Sequence, residues 1–302
     1  MKEYFSNGKL LISGEYVVLD GAISLAVPTK YGQSLTVENI NEAKIIWRSL
    51  DEKGLVWFEK EFELVNHTIQ NSSETDETSI RLIEILKAAK ALNPEFLRDG
   101  IGYKVTTKLD FPKNWGLGTS STLINNIANW AKVNAYQLLE KTFGGSGYDI
   151  ACAQNNSAIT YQLKSKAIDV IPLSFNPIFM KNLYFIHLNK KQNSRDGIKH
   201  YREHKGDLLV SINEINSITE QMIHVETLTA FEVLIEKHES IIAEITKQVP
   251  VKDRLFSDFK GAVKSLGAWG GDFVLATTKQ DPTAYFKAKG YNTVLAYQDM
   301  VL

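Results

Sequence analysis

The chain has 302 residues, 44% of them hydrophobic and 23% charged, the composition of a globular protein with material for one large or two ordinary domains. A formal net charge of −1 supplies no basic field for nucleic acid, and a single cysteine, Cys152, excludes an internal disulfide and a cysteine-built metal cluster. No apolar run approaches membrane-spanning length and no signal-type stretch follows Met1, so the expected location is the cytoplasm, with neither nucleic acid nor membrane as partner.

Residues 8–65 read as a series of strands: LLIS, EYVVL, ISLAV, QSLTVEN, KIIWRS and LVWFEKEFEL, with turns at Asp20-Gly21 and Lys53-Gly54. Polar residues from Asn66 to Thr78 read as a surface loop. Ser79–Leu92 has helical spacing, and Ile101–Leu109 alternates like a strand around Tyr103 and Val105. A helix is expected from about Ser120, and a second, short one ending near Thr142. Ala158–Leu163 and Ala167–Ile171 read as a hairpin, and Pro177 interrupts the pattern within residues 173–182. Beyond it come a buried-type strand at Leu183–Leu188, a long, mostly helical stretch from Asp196 to about Lys247, and a short helix leading to Ser265. A strand at Phe273–Thr277, a helix at Thr283–Lys289 and a last strand at Asn292–Tyr297 follow. Strands and helices without strict alternation predict an α+β fold.

The most informative segment is Pro112–Thr122, PKNWGLGTSST. Two glycines let backbone approach a ligand closely, and a helix-patterned run (Leu123, Ile124, Ile127, Ala128, Ala131) begins behind three hydroxyl residues. A helix starting there aims free N–H groups and the positive dipole end at an anion, and Ser120 and Ser121 can cap it or reach a phosphate. The segment lacks the Gly-Lys-Ser/Thr of a P-loop and the third glycine of a dinucleotide fingerprint.

It resembles the second motif of the GHMP kinases, Pro-x-x-x-Gly-Leu-Gly-Ser-Ser, with Thr119 in place of the first serine. GKLLISGEYVVLDG (Gly8–Gly21) is similar to the first motif of that superfamily, and KSLGAWGGDFVLA (Lys264–Ala276) to the third, where Trp269 stands in place of a glycine and is expected to reshape the pocket. GGSGYDIACA (Gly144–Ala153) is similar to the loop that carries the catalytic aspartate. The resemblance runs over roughly residues 6–278 and implies two domains. An N-terminal, ribosomal-S5-like ATP-binding domain is expected over residues 1–177, and a C-terminal, ferredoxin-like domain over 178–302.

The resemblance also implies roles. Gly116, Leu117, Gly118, Thr119, Ser120 and Ser121 would bind ATP, and Ser120 and Glu140 would hold Mg²⁺, an ion that takes few protein carboxylates and keeps its waters. Asp149 and Lys9 would be catalytic, the lysine keeping the carboxylate ionised and stabilising developing charge. Glu15, Ser146, Gly147, Ser194, Arg195, Gly267, Ala268 and Trp269 would lie on the substrate side, although Glu15 also fits a structural ion pair. Arg195, Lys199 and Arg202 share one face if their segment is helical, which reads either as a solvated surface or as a site for an anion.

Tyr16, the proline-free GSGYDIA loop and the Gly-Gly-Asp that ends the third motif lean toward the phosphomevalonate kinase branch, with mevalonate kinase close behind. The expected partners are ATP and a small anionic substrate, in a monomer or homodimer. A diphosphomevalonate decarboxylase-like enzyme, a sugar kinase of the same superfamily and a non-catalytic nucleotide- or ligand-binding relative are the alternatives.

Overall fold

The computed structural model describes every residue except 66–67, 70–75, 98–100 and 166. The chain divides into two compact units: Met1–Gly8, Tyr31–Lys113 and Gly118–Gln154 form the first, and Lys9–Lys30, Asn114–Leu117 and Asn155–Leu302 the second. Strands β1 (Lys2–Leu11) and β2 (Ser24–Ile40) each contribute residues to both.

In the first unit, β2 is followed by β3 (Lys44–Leu50), β4 (Val56–Val65) and β5 (Thr68–Ile69), then α1 (Glu77–Leu92), β6 (Gly102–Leu109), α2 (Thr119–Ala131), α3 (Ala135–Glu140) and α4 (Tyr148–Gln154). Its strands lie in the order β5-β4-β3-β6-β2, antiparallel except for the parallel β3–β6 pair. Inward residues at period two on these strands, Leu35, Val37, Ile45, Trp47, Phe62 and Val105, meet the apolar faces of α1 and α2, including Leu82, Leu86, Ile124 and Ile127. Asp76 starts α1 by accepting the Ser79 N–H at 2.9 Å. The expected loop at Asn66–Thr78 falls largely outside the described residues; within it, Thr68–Ile69 is strand and Glu77–Thr78 is helix.

The second unit holds β7 (Ala158–Leu163) and β8 (Ile168–Leu173), the expected hairpin, with β7 pairing to the Ser24–Ala26 end of β2. Then come β9 (Leu183–His187), α5 (Ser194–His204), α6 (Leu209–His224), α7 (Leu228–Thr246), α8 (Val251–Leu255), β10 (Val263–Ser265), β11 (Phe273–Thr277), α9 (Thr283–Ala288), β12 (Val294–Ala296) and α10 (Tyr297–Met300). An antiparallel sheet in the order β10-β11-β9-β12 carries Ile186, Val263, Val274 and Ala276 against Phe256 and Phe286.

Three expectations change, the first being that ISLAV and QSLTVEN, read as separate strands, form the single strand β2. EYVVL is no strand, because Val17–Asp20 forms a 3₁₀ turn closed by Gly21 at φ 92. The helical stretch from Asp196 is three helices, broken at Lys205–Leu208 and at Val225–Thr227, where the Thr227 side chain accepts the Ala230 N–H and starts α7. Among the described residues, no helix is long and apolar enough to cross a membrane.

Candidate active site

In the first unit, the glycine turn delivers the chain into α2. Gly118 takes φ 93, a left-handed conformation costly for any residue with a Cβ, and Thr119 and Ser120 follow as the first helical residues. Ser121 Oγ donates to the Gly118 carbonyl at 2.8 Å, and Ser120 stays exposed. The helix is fixed by a buried polar network that its apolar pattern gave no sign of. Ser6 Oγ donates to Asn126 Oδ1 at 2.8 Å, Asn126 Nδ2 to the Gln33 carbonyl at 2.8 Å, and Thr122 Oγ1 to Gln33 Oε1 at 2.8 Å. Buried and satisfied, these groups specify one orientation of α2.

The same network reaches the aspartate loop. Gln154 Nε2, at the end of α4, donates to Asn125 Oδ1 of α2 at 2.9 Å. Asp149 is the second residue of α4 and half-buried, so a helix that packs on α2 carries it. Ser146 and Gly147 are buried just ahead of it. Glu140 ends α3 with its side chain exposed. Among the described residues, no group of three or more His, Cys, Asp or Glu is gathered for a metal.

In the second unit, β1 is lashed to the other half of the glycine segment. Lys9 N–H donates to the Leu117 carbonyl at 3.1 Å, and Lys9 Nζ to the Gly116 carbonyl at 3.3 Å. Gly116, at φ 70, lies against the Asp272 carboxylate so closely that a Cβ there would collide with it. Asp272 Oδ1 accepts the Gln192 N–H at 3.1 Å, and its backbone N–H donates to the Lys190 carbonyl at 2.7 Å. Burial raises the Asp272 carboxyl above its ordinary range, against the Gln192 N–H and the charges of Lys9, Lys191 and His187. His187 Nε2 donates to the Asn114 carbonyl at 3.1 Å, and burial holds its imidazole below the usual histidine range. Lys9, Gly116, Leu117 and Asp272 thus form one cluster.

A second cluster surrounds Glu15 and the third motif. Tyr16 is the centre of a γ-turn of the rare positive-φ kind (φ 62, ψ −51), closed by the Val17 N–H on the Glu15 carbonyl at 2.7 Å. Its hydroxyl accepts the Trp269 N–H at 2.9 Å, and its ring stacks on Tyr201 with centroids 5.4 Å apart. Tyr201 Oη donates to Asp20 Oδ2 at 2.5 Å. Burial raises the Tyr16 phenol. Trp269 is buried, its loop pinned by Tyr16, and Ala268 beside it is buried too. Glu15 lies wholly inside, 2.5 Å from Lys264 Nζ, as an ion-pair member. Ser194 and Arg195, exposed, open α5, whose Gly197 packs so closely that a Cβ there would stand 3.1 Å from Tyr16 Oη and 3.3 Å from the Ala268 Cβ. Arg195, Lys199 and Arg202 are helical and exposed.

Sequence reasoning reached most of these positions but missed Lys264, His238, Glu239, Gln192 and the amide network of α2. Lys264 opens the third motif and carried the one available signal; the others lie in segments without a motif.

No family model matches the sequence, and no curated protein matches it. Solved structures do. The mevalonate kinase of Methanococcus jannaschii superposes with a TM-score of 0.71 at 15% identity, over 97% of this chain and 96% of that one. Lactococcus lactis galactokinase, solved with galactose, gives 0.71 at 14% identity, over 95% and 88%. Streptococcus pneumoniae phosphomevalonate kinase, solved with phosphomevalonate and AMPPNP, gives 0.69 at 15% identity, over 96% of both chains.

Proposed function

Since the chain has the two-domain fold of the GHMP kinases, we propose that it is an ATP- and Mg²⁺-dependent kinase of a small anionic molecule, phosphomevalonate first and mevalonate second. The observation that carries the reading is the double attachment of Lys9, main chain and ammonium, to the carbonyls of Leu117 and Gly116. It fixes a cation beside Gly116 and Leu117, which suits a group that offsets developing phosphoryl charge.

In this reading the N–H groups of the first turn of α2, behind Gly118, receive the triphosphate of ATP. Lys9 offsets the charge that develops on the transferred group, and Asp149 orients the acceptor oxygen or takes its proton. Ser120 and Glu140 are both exposed and offer only oxygen donors, which suits a hard cation held mainly by phosphate and water. Mg²⁺ there would neutralise the phosphate oxygens. Arg195, at the head of α5, offers a planar guanidinium to an anionic acceptor.

The branch is read from the sequence alone, from Tyr16, the proline-free GSGYDIA loop and the Gly-Gly-Asp that includes Asp272. The test is an ADP-release screen with ATP, Mg²⁺ and, in separate reactions, phosphomevalonate, mevalonate, homoserine and galactose. ADP formed with phosphomevalonate above all others is the expected result. ADP formed with galactose alone moves the chain to the sugar kinases, and nucleotide binding without ADP from any acceptor overturns the kinase reading.

A further inference from the structure

Four ionisable side chains are sealed together beneath the first and third motifs: Glu15, His238, Glu239 and Lys264, each at most 3% exposed. Lys264 Nζ stands 2.5 Å from Glu15 Oε1 and 3.6 Å from Glu239 Oε1, and donates to the Ser265 carbonyl at 2.9 Å. Glu239 Oε2 accepts the Ser265 N–H at 3.1 Å. His238 Nε2 accepts the Gly14 N–H at 2.9 Å and lies 3.2 Å from Glu15 Oε2. A nitrogen that accepts a backbone N–H carries no proton, so His238 is the neutral tautomer protonated at Nδ1.

Stability does not explain this arrangement. Buried ion pairs are on average no better than apolar residues of equal volume. Among the described residues, Glu15 Oε2, Glu239 Oε1 and His238 Nδ1 find no hydrogen-bond partner, which adds to the desolvation cost. The turn they support is strained as well, with Tyr16 at φ 62. What the cluster does secure is geometry. Glu15 and Tyr16, adjacent in sequence, grip Lys264 and the Trp269 amide of the third motif, and that motif sets Asp272 against Gly116.

We propose that His238 and Glu239, both on α7, are positioning residues for phosphoryl transfer: His238 holds the Gly14 amide and with it the strained Glu15–Tyr16–Val17 turn, and Glu239 holds the Ser265 amide. Lys264 sits between them and keeps the two motifs in register. Neither α7 residue touches the nucleotide or the acceptor; they act through Tyr16, Trp269 and Asp272. The kinetic consequence rests on the kinase reading, whereas the structural one does not.

The experiment therefore has two arms on the full chain. In the first, amide hydrogen exchange is followed in wild type, His238→Leu and His238→Gln. Exchange at Gly14 and across residues 266–272 is expected to quicken about tenfold or more in His238→Leu, with β9 and β11 unchanged, and to return to wild type in His238→Gln, whose Oε1 accepts the same N–H. In the second arm, His238→Leu is expected to lower kcat by about 10- to 100-fold with KM for ATP within about twofold, and His238→Gln to restore most of it.

Wild-type exchange at Gly14 in the folded leucine variant overturns the proposal, as does a lowered Tm with kcat and KM intact. Should that variant not fold, ¹⁵N chemical shifts of His238 in wild type decide. A neutral ring protonated at Nδ1 between pH 5.5 and 8 supports the proposal, and an imidazolium in that range ends it. A wild-type protein that transfers phosphate to no acceptor sinks the kinase reading and leaves the exchange arm to judge the cluster.

Discussion

The carboxylate of Asp272 covers the Cα of Gly116, and the two residues meet with no room for a methyl group between them. Gly116→Ala therefore suffers twice. An L-residue held at φ 70 loses about 1–2 kcal/mol to backbone strain, and the new Cβ collides with the carboxylate. Asp272→Ala removes only the second penalty. The double variant Gly116→Ala/Asp272→Ala is expected to be more stable than the sum of the single changes, by about 1 kcal/mol or more in a denaturant-unfolding cycle. Strict additivity would mean that the two residues do not touch in solution.

Tyr16 gives a cleaner single test. Its hydroxyl is the acceptor for the buried Trp269 amide, and Phe in its place keeps the stack on Tyr201 while leaving that N–H unpaired. Tyr16→Phe is expected to cost about 1–3 kcal/mol in chemical denaturation, the usual penalty for an orphaned buried donor. A neutral result would show that water reaches the third-motif loop.

That hydrogen bond also marks how far the sequence could be read. The glycine turn and its helix were legible at Gly116–Ser121 because few residues other than glycine suit backbone at φ 70 and 93, and a serine-rich helix start is a local signal. Strands such as Phe273–Thr277 were legible because apolar runs of that length announce buried strands. Trp269 was expected to reshape the pocket. It is buried, with its amide answered from 253 positions away, and no local pattern reports a partner at that separation. For Glu15 the ion-pair reading that the sequence offered beside the substrate one was right about its contact, and only the partner, Lys264, was not legible. Nothing in the helical stretch singled out His238 and Glu239, because burial of a charge is decided by what packs over it. EYVVL misled because a β-branched run favours strand until a γ-turn at Tyr16 redirects it.

Stability should carry the mark of Glu239 across neutral pH. Burial, reinforced by Glu15 and opposed by Lys264, pushes its carboxyl up to about 7. The folded state therefore binds the proton more tightly than the unfolded chain, where the value is about 4.3. A raised value stabilises the protonated form, so the contribution is fully present below about pH 4 and is lost as pH rises through about 7. Glu239→Gln, which cannot ionise, should remove that loss. Wild type is expected to fall relative to the variant between about pH 5 and 8, by no more than about 3 kcal/mol. Parallel stability curves for the two proteins over that range would contradict the burial of a titrating carboxylate there.

If the proposed role of Asp149 holds, its replacement separates the two proposed acceptors by chemistry rather than by fit. The hydroxyl of an alcohol acceptor such as mevalonate must lose its proton as it attacks phosphorus, and general-base catalysis at that step is worth about 10²–10⁴-fold. A phosphate monoester has already lost its second proton near pH 6, so at neutral pH it arrives largely as a dianion and needs only positioning. Asp149→Asn keeps the size and half of the hydrogen-bonding capacity of the side chain while removing its basicity. With phosphomevalonate as acceptor, the variant is expected to retain kcat within about tenfold of wild type, since α4 and its tie through Gln154 to Asn125 remain intact. With mevalonate, the loss should reach the full general-base factor. Steady-state ADP release by wild type and variant, with each acceptor in turn at pH 7, separates these outcomes. Equal and large losses on both would show that Asp149 serves through its charge, beside the transferred phosphoryl group, and not as a base toward the acceptor.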